Sequence, residues 1–232
     1  MKTFKHMGKT GDVIFSLPTM KHFGGGILYL PEATAECSSL YSNMRPLLLQ
    51  QPFIEDVKEY PSMLPYGEQV EGIHIDIDLD RHREHALRGK VNMVKRYYEV
   101  FKIDADWQSP WLTVEGKRPM NHDYHLINLT PRFRDNSTID WSRVYRSIQK
   151  PVYFIGTPQE HESFVEKYGD IEYLETENLL TFALAIKHSS SLHCNQSAAL
   201  SLAQALGVIY FLEKKPRKSN CLFYTPNEHI LL

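Results

Sequence analysis

Thr3-Phe4-Lys5-His6-Met7-Gly8-Lys9-Thr10-Gly11-Asp12-Val13-Ile14-Phe15-Ser16-Leu17-Pro18-Thr19-Met20 opens the chain. Thr3 to Met7 reads as a short strand, Gly8 and Gly11 bound a loop, and Val13, Leu17 and Met20 keep the spacing of a helix. Gly24-Gly25-Gly26 ends that helix, and Ile27 to Leu30 supplies a second apolar strand. A strand, a helix and a second strand in this order form a β-α-β unit, which implies a parallel sheet.

The pattern continues outward from this unit. Leu40, Met44, Leu47 and Leu48 predict a helix, and Ile73, Ile75, Ile77 and Leu79 alternate with polar residues as a half-buried strand. Leu87, Val91, Val94, Tyr98 and Phe101 predict the helix that closes this half, with Arg88, Lys90, Lys95 and Arg96 among them. From Asp104 to Tyr124 the periodicity gives way to Trp, Gly, charge and Pro, which marks a boundary. Residues 1–118 are therefore read as an N-terminal domain and residues 119–232 as a C-terminal one.

The second half repeats the alternation. Strands are expected at His125 to Leu129, Val152 to Ile155, Ile171 to Leu174, near Leu192 and at Val208 to Leu212. Helices are expected at Trp141 to Ile148, Glu160 to Lys167, Leu179 to Lys187 and Ala198 to Leu206, while the tail after Lys214 carries no clear pattern. The fold class is α/β, with two Rossmann-like doubly wound domains. Facing each other, they would form a cleft at the carboxyl ends of their strands, where open α/β sheets bind ligands.

Composition narrows the function. The 232 residues are 42% hydrophobic and 23% charged with a formal charge of −2, an ordinary globular balance that does not advertise nucleic acid. No stretch reaches the roughly 18 apolar residues of a membrane helix and no signal-peptide core follows Met1, so a cytoplasmic location is expected. Cys37, Cys194 and Cys221 are odd in number and widely spaced, which suggests neither a disulfide framework nor a zinc site. His82 and His85 lack the spacing of a zinc hydrolase helix.

Four loops at strand ends carry the candidate chemistry. Lys9, Thr10 and Gly11 lead to Asp12, which can cap the following helix or, facing a cleft, accept the proton of an attacking hydroxyl. The loop matches neither G-x-x-x-x-G-K-[ST] nor G-x-G-x-x-G. Asn195, Gln196 and Ser197 precede a helix whose first amides and dipole suit a diphosphate, with Ser197 as an N-cap the plainer role. Thr130 opens a loop in which Arg132 and Arg134 can neutralise phosphate charge through forked hydrogen bonds or lie solvated on the surface. Gly156 ends another strand, and Glu160 beyond it can take ribose hydroxyls or cap its helix.

Gly11-Asp12-Val13-Ile14-Phe15-Ser16-Leu17-Pro18 resembles the G-D-x-x-x-x-x-P signature of the ADP-heptose:lipopolysaccharide heptosyltransferases, glycosyltransferase family nine. Phe154 to Glu160 resembles that family's strand, glycine and acidic turn, and Asn195 to Gly207 its phosphate-binding turn and helix. The resemblance implies a GT-B fold and an inverting transfer from a nucleoside-diphosphate sugar to a glycan or other hydroxyl acceptor, with no cofactor and no essential metal. It maps the catalytic aspartate onto Asp12, the ribose-contacting glutamate onto Glu160 and the phosphate turn onto Asn195, Gln196 and Ser197. Family members carry Asp-[Ser/Thr]-Gly where this chain has Asn195-Gln196-Ser197, and Arg132 and Arg134 stand where a Thr/Lys clamp is expected.

Three other readings compete. The helix bearing Arg88, Lys90, Lys95, Arg96, Tyr97 and Tyr98 can face DNA, as in phage enzymes that glycosylate modified bases. Asp76-Ile77-Asp78 matches the D-x-D metal motif of GT-A transferases, although strand alternation explains it too. The altered Asn195 turn also fits a nucleotide-sugar or glycan-binding module without turnover.

Overall fold

The computed structural model describes residues 1–33, 39–60, 72–84, 91–131, 139–148, 151–214 and 220–231. Arg132, Arg134, Arg88, Lys90, Leu87, His85 and Cys37 lie outside them.

The N-terminal half contains β1 (Lys2–Lys5), α1 (Thr10–His22), β2 (Gly26–Pro31), α2 (Leu40–Leu48), β3 (Ile54–Tyr60) and β4 (Ile77–Asp78). A 3₁₀ helix (Leu79–Glu84) and α3 (Met93–Phe101) complete it. The four strands form a parallel sheet in the order β3-β2-β1-β4. The α1–β2 turn needs glycine: Gly25 has φ +74°, and a Cβ there would lie 1.9 Å from the Phe53 carbonyl oxygen. That carbonyl accepts the Gly26 amide at 2.9 Å, which docks the turn on the start of β3.

The C-terminal half contains β5 (His125–Asn128), α4 (Trp141–Ser147), β6 (Val152–Phe154), α5 (Pro158–Tyr168) and β7 (Glu172–Tyr173). It continues with α6 (Leu179–His188), β8 (Ser191–Asn195), α7 (Ala198–Leu206), β9 (Tyr210–Glu213) and β10 (Glu228–Leu231). These strands form a parallel six-stranded sheet in the order β7-β6-β5-β8-β9-β10. Counted from β5, that is the 3-2-1-4-5-6 order of a Rossmann sheet, with its switch point between β5 and β8.

Three expectations need correction. The alternation from Ile73 to Leu79 produces only a two-residue strand, because Leu79 already starts the 3₁₀ helix. β3 and β10 were not expected. β3 buries Ile54, Val57 and Tyr60 at intervals of three rather than two, and its register shifts beside Gly26. β10 is a short, half-exposed edge strand without an apolar run.

One hydrophobic cluster runs from Phe4, Leu17 and Leu28 through Trp111 and Leu112 to Leu202 and Tyr210, so helices of both halves share an apolar layer. α1 packs against α3 and α7, and α2 against α6. Every α1 residue from Val13 to Met20 is buried, as expected of a helix enclosed by protein. Pro18 inside α1 has no amide to bond the Ile14 carbonyl. The Trp111 indole takes that place, donating to the Ile14 oxygen at 2.9 Å. A second cluster, with Trp141, Phe154 and Phe164, covers the other face of the larger sheet. Cys194 and Cys221 are buried free thiols, and burial raises both pKa values. No helix among the described residues is long and apolar enough to cross a membrane.

Candidate functional site

At the β5/β8 switch point the strand ends are laced together by side-chain amides. Asn195 accepts the Thr130 amide at 3.1 Å and donates to the Thr130 carbonyl at 2.9 Å. Buried Asn128 donates to the Ile155 carbonyl at 2.7 Å, while its Oδ1 accepts the Ser197 hydroxyl at the same distance. Ser197 sits at the N-cap of α7 but caps nothing with its side chain. The leading amides of α7 therefore have no side-chain cap, and the helix dipole there favours negative charge. Gln196 turns inward and donates to Cys221 Sγ at 2.8 Å.

Gly156, after β6, lies between these amides and Glu160. A Cβ on it would be 2.7 Å from Glu160 Oε2 and 3.0 Å from Asn128 Nδ2. Glu160 belongs to a capping box: Oε2 accepts the Thr157 amide at 2.9 Å, and the Thr157 hydroxyl accepts the Glu160 amide at 3.2 Å. Burial raises the Glu160 carboxyl, against the two Thr157 bonds. Tyr173 donates to the Gly156 carbonyl at 2.8 Å and stacks on His161, extending this rim.

In the N-terminal half the equivalent strand ends are those of β1 and β4. Lys9 occupies the N-cap of α1 without a side-chain cap, Thr10 and Gly11 open the helix, and Asp12 stands in its first turn. Asp12 Oδ2 accepts Arg83 at 3.3 Å. Arg83 Nε also donates to Asp80 Oδ1 at 3.1 Å, and Asp80 Oδ2 accepts the Met7 amide at 2.7 Å. His6 Nδ1 accepts the Gly8 amide at 2.8 Å, so its proton sits on Nε2 and donates to the Tyr97 hydroxyl at 2.7 Å. Tyr97 donates onward to the Asp12 carbonyl at 3.3 Å. Burial pushes the Asp12 carboxyl above the ordinary range, with Asp80 adding to the rise and Arg83, Arg96 and Lys9 opposing it.

His6, Asp80 and His82 form the one metal-capable group found among the described residues. His6 Nδ1 and both Asp80 oxygens are already engaged by Gly8, Arg83 and Met7, and His82 Nδ1 faces the Leu79 carbonyl at 3.0 Å. A cationic Arg83 bonded to Asp80 opposes a second cation there. The arrangement fits a hydrogen-bonded brace for the Asp12 loop better than it fits a metal centre. Asp76 and Asp78 have equally local partners: Asp76 binds Thr3 and His74, and Asp78 pairs with Lys5 at 2.9 Å. On α3, Arg96, Tyr97 and Tyr98 are buried and Lys95 is exposed, so the described part of that helix offers no continuous basic stripe to DNA.

The two regions meet through their helices. A Cβ at Gly11 would lie 3.6 Å from the Ser201 hydroxyl, which places the first turn of α1 against the first turns of α7. Both helices follow strand ends and both start without a side-chain cap. The start of the helix that carries Asp12 thus packs against α7 close to its N-terminus. Arg83, Asp80 and His6 were not singled out from sequence, and Tyr97 was named only on the helix read as facing DNA, although polar residues so close to apolar strand positions were the available signal.

No family model matches the sequence, and no curated protein is similar to it in sequence. Solved structures do share its fold. A glycosyltransferase family 9 protein from Veillonella parvula superposes with a TM-score of 0.66 at 12% identity, covering 99% of this chain and 84% of that one. Escherichia coli heptosyltransferase WaaC, solved with ADP-2-deoxy-2-fluoro heptose, gives 0.62 at 12% identity, covering 100% and 93%. TibC, an iron-containing dodecameric glycosyltransferase from enterotoxigenic E. coli, gives 0.67 at 16% identity, and this chain covers 97% of itself but 61% of TibC. The resemblance read from three short stretches thus extends to the Rossmann-like α/β fold of nearly the whole chain.

Proposed function

We propose that this protein is a glycosyltransferase of the GT-B, heptosyltransferase-like type that transfers a sugar from a nucleoside-diphosphate sugar to an acceptor hydroxyl. Residues 119–232 hold the donor and residues 1–118 face the acceptor across a cleft. The observation that carries this reading is the packing of Gly11, next to Asp12 at the start of α1, against Ser201 near the uncapped start of α7. Asp12 acts as general base on the acceptor, and burial makes its carboxylate a stronger base than a free aspartate. The α7 amides stabilise the charge that develops on the departing diphosphate. Arg132 and Arg134 add positive charge on the Thr130 loop, and Glu160 Oε1 orients the ribose. A single displacement with a base opposite the leaving group inverts the anomeric centre. Asp12 and the α7 amides carry these steps without calling on Asp76 or Asp78.

The test is thermal stabilisation by ADP, UDP, GDP, CDP and their sugars. A ligand that binds the native state at about 100 times its Kd adds roughly 2.7 kcal/mol. One nucleoside diphosphate is expected to shift the Tm, and Asp12→Asn should keep that shift while losing transfer. Silence across the panel would overturn the reading. A second reading, a nucleotide-sugar-binding module without turnover, draws on the internal commitment of the Asn195, Gln196 and Ser197 side chains. Binding without transfer in the unaltered protein would select it.

A further inference from the structure

We propose that Arg83 is a positioning residue for Asp12, seated over Gly8 and anchored by Asp80, so that it pins one carboxylate oxygen and leaves the other to the reaction. The inference rests on the general-base reading of Asp12 and names the group that holds that base in place.

Three separate observations carry it. Arg83 bridges the two switch-point loops of the smaller sheet, with Nε on Asp80 and NH2 on Asp12 Oδ2, 3.1 and 3.3 Å away. Asp80 is 1% exposed and is itself fixed by the Met7 amide, so the anchor does not drift. Gly8 makes the crossing possible. A Cβ there would lie 2.6 Å from Arg83 NH2 and 2.4 Å from His6 Cε1, so any larger residue would push against the guanidinium, the imidazole or both. The demand is for space rather than backbone freedom, because Gly8 has no left-handed φ.

The chemistry follows from which oxygen is held. Oδ2 faces Arg83, and among the described residues nothing bonds Oδ1, so the carboxylate presents one lone-pair set in a fixed direction. A base held in this way keeps its line of attack on an acceptor proton, and misplacements near 1 Å can cost about a hundredfold in rate. Several other groups face Asp12: Lys9 from the preceding loop, Asp80 from the 3₁₀ helix, and Arg96 and Tyr97 from α3, with neutral Ser201 on the α7 side. Of the cations that oppose the effect of burial on this carboxyl, Arg83 acts most strongly.

The experiment follows the Asp12 carboxyl directly by ¹³C NMR in protein labelled on aspartate, with Asp12→Asn giving the assignment. It needs no substrate, so its outcome is independent of whether the transferase reading holds. In Arg83→Gln the Asp12 titration is expected to move to higher pH, and Arg83→Lys, which keeps the charge, should return it toward the unaltered protein. Gly8→Ala, which changes no charge, should move it in the same direction as Arg83→Gln. With the nucleotide sugar identified by thermal shift, Arg83→Gln should lower kcat/KM at least tenfold and displace the acid limb upward, with partial recovery in Arg83→Lys. A folded Arg83→Gln protein whose Asp12 titrates as before overturns the proposal, whatever its activity. If Arg83→Gln does not fold, an unmoved titration in Gly8→Ala overturns it instead. Failure of the nucleotide panel would overturn the transferase reading alone.

Discussion

Asn195, at the end of β8, grips both backbone polar groups of Thr130 beyond the end of β5, accepting its amide at 3.1 Å and donating to its carbonyl at 2.9 Å. The side chain is fully buried, and both of its bonds reach the half-buried backbone of Thr130. Asn195→Ala is expected to cost about 1–3 kcal/mol in urea unfolding. Asn195→Asp should do no better, because a carboxylate can accept the amide but repels the carbonyl. An Asp variant as stable as the unaltered protein would show that the clamp is not what holds the switch point.

Trp111 stands in for a backbone donor that Pro18 cannot supply. Trp111→Phe keeps most of the ring contacts with Phe15 and Phe223 but leaves the Ile14 carbonyl unbonded in the shared core. We expect a loss of about 1–3 kcal/mol, measured by the urea midpoint. Restoring an amide in the same background, with Pro18→Ala, should recover part of it. No recovery would assign the loss to packing.

Thr157 begins α5 and fastens Glu160 to the helix start. Thr157→Ala should reduce stability by about 1 kcal/mol, the usual value of a lost N-cap. If Glu160 also meets the donor ribose, the same variant should weaken the nucleotide-dependent Tm shift, whereas unchanged ligand stabilisation would confine Glu160 to capping.

Three buried imidazoles make stability fall in mild acid. Burial lowers His6 and His82 to about 3, with Arg83 next in effect at His6 and His6 next at His82. Burial, then His125, lowers His193 to about 4. The unfolded chain takes up protons near pH 6.5 while the folded one does not, so the unfolded state binds more protons and stability rises with pH. Their contribution is present above about pH 6.5 and is lost as the pH falls, down to about 4 for His193 and about 3 for His6 and His82, at up to ~1.4 kcal/mol per pH unit for each group. Urea midpoints from pH 7 to 5 should fall in the unaltered protein and fall less in His193→Gln. Parallel curves would remove His193 from this account.

Much of the architecture could be read locally. The helices α1, α2, α5, α6 and α7 lie where their apolar spacing put them, and the glycine turn after α1 marks the first crossover. β3 was hidden because its buried residues fall every third position beside a register shift, and β10 because a half-exposed edge needs no apolar run. Gln196 lies in the expected turn yet points to Cys221, because direction depends on what the neighbouring tail offers.

Element type and order follow from periodicity and turn chemistry, which act within a few residues and so survive in a linear string. Asp12 could be singled out in the same way, from its place at a helix start after a glycine loop. Its partner could not. Arg83 lies 71 residues away and reaches Asp12 because parallel crossovers set β1 beside β4 and because Gly8 leaves room for a guanidinium. The direction of a side chain and the charge beside it are sums over neighbours brought in by the fold, and no local pattern records them.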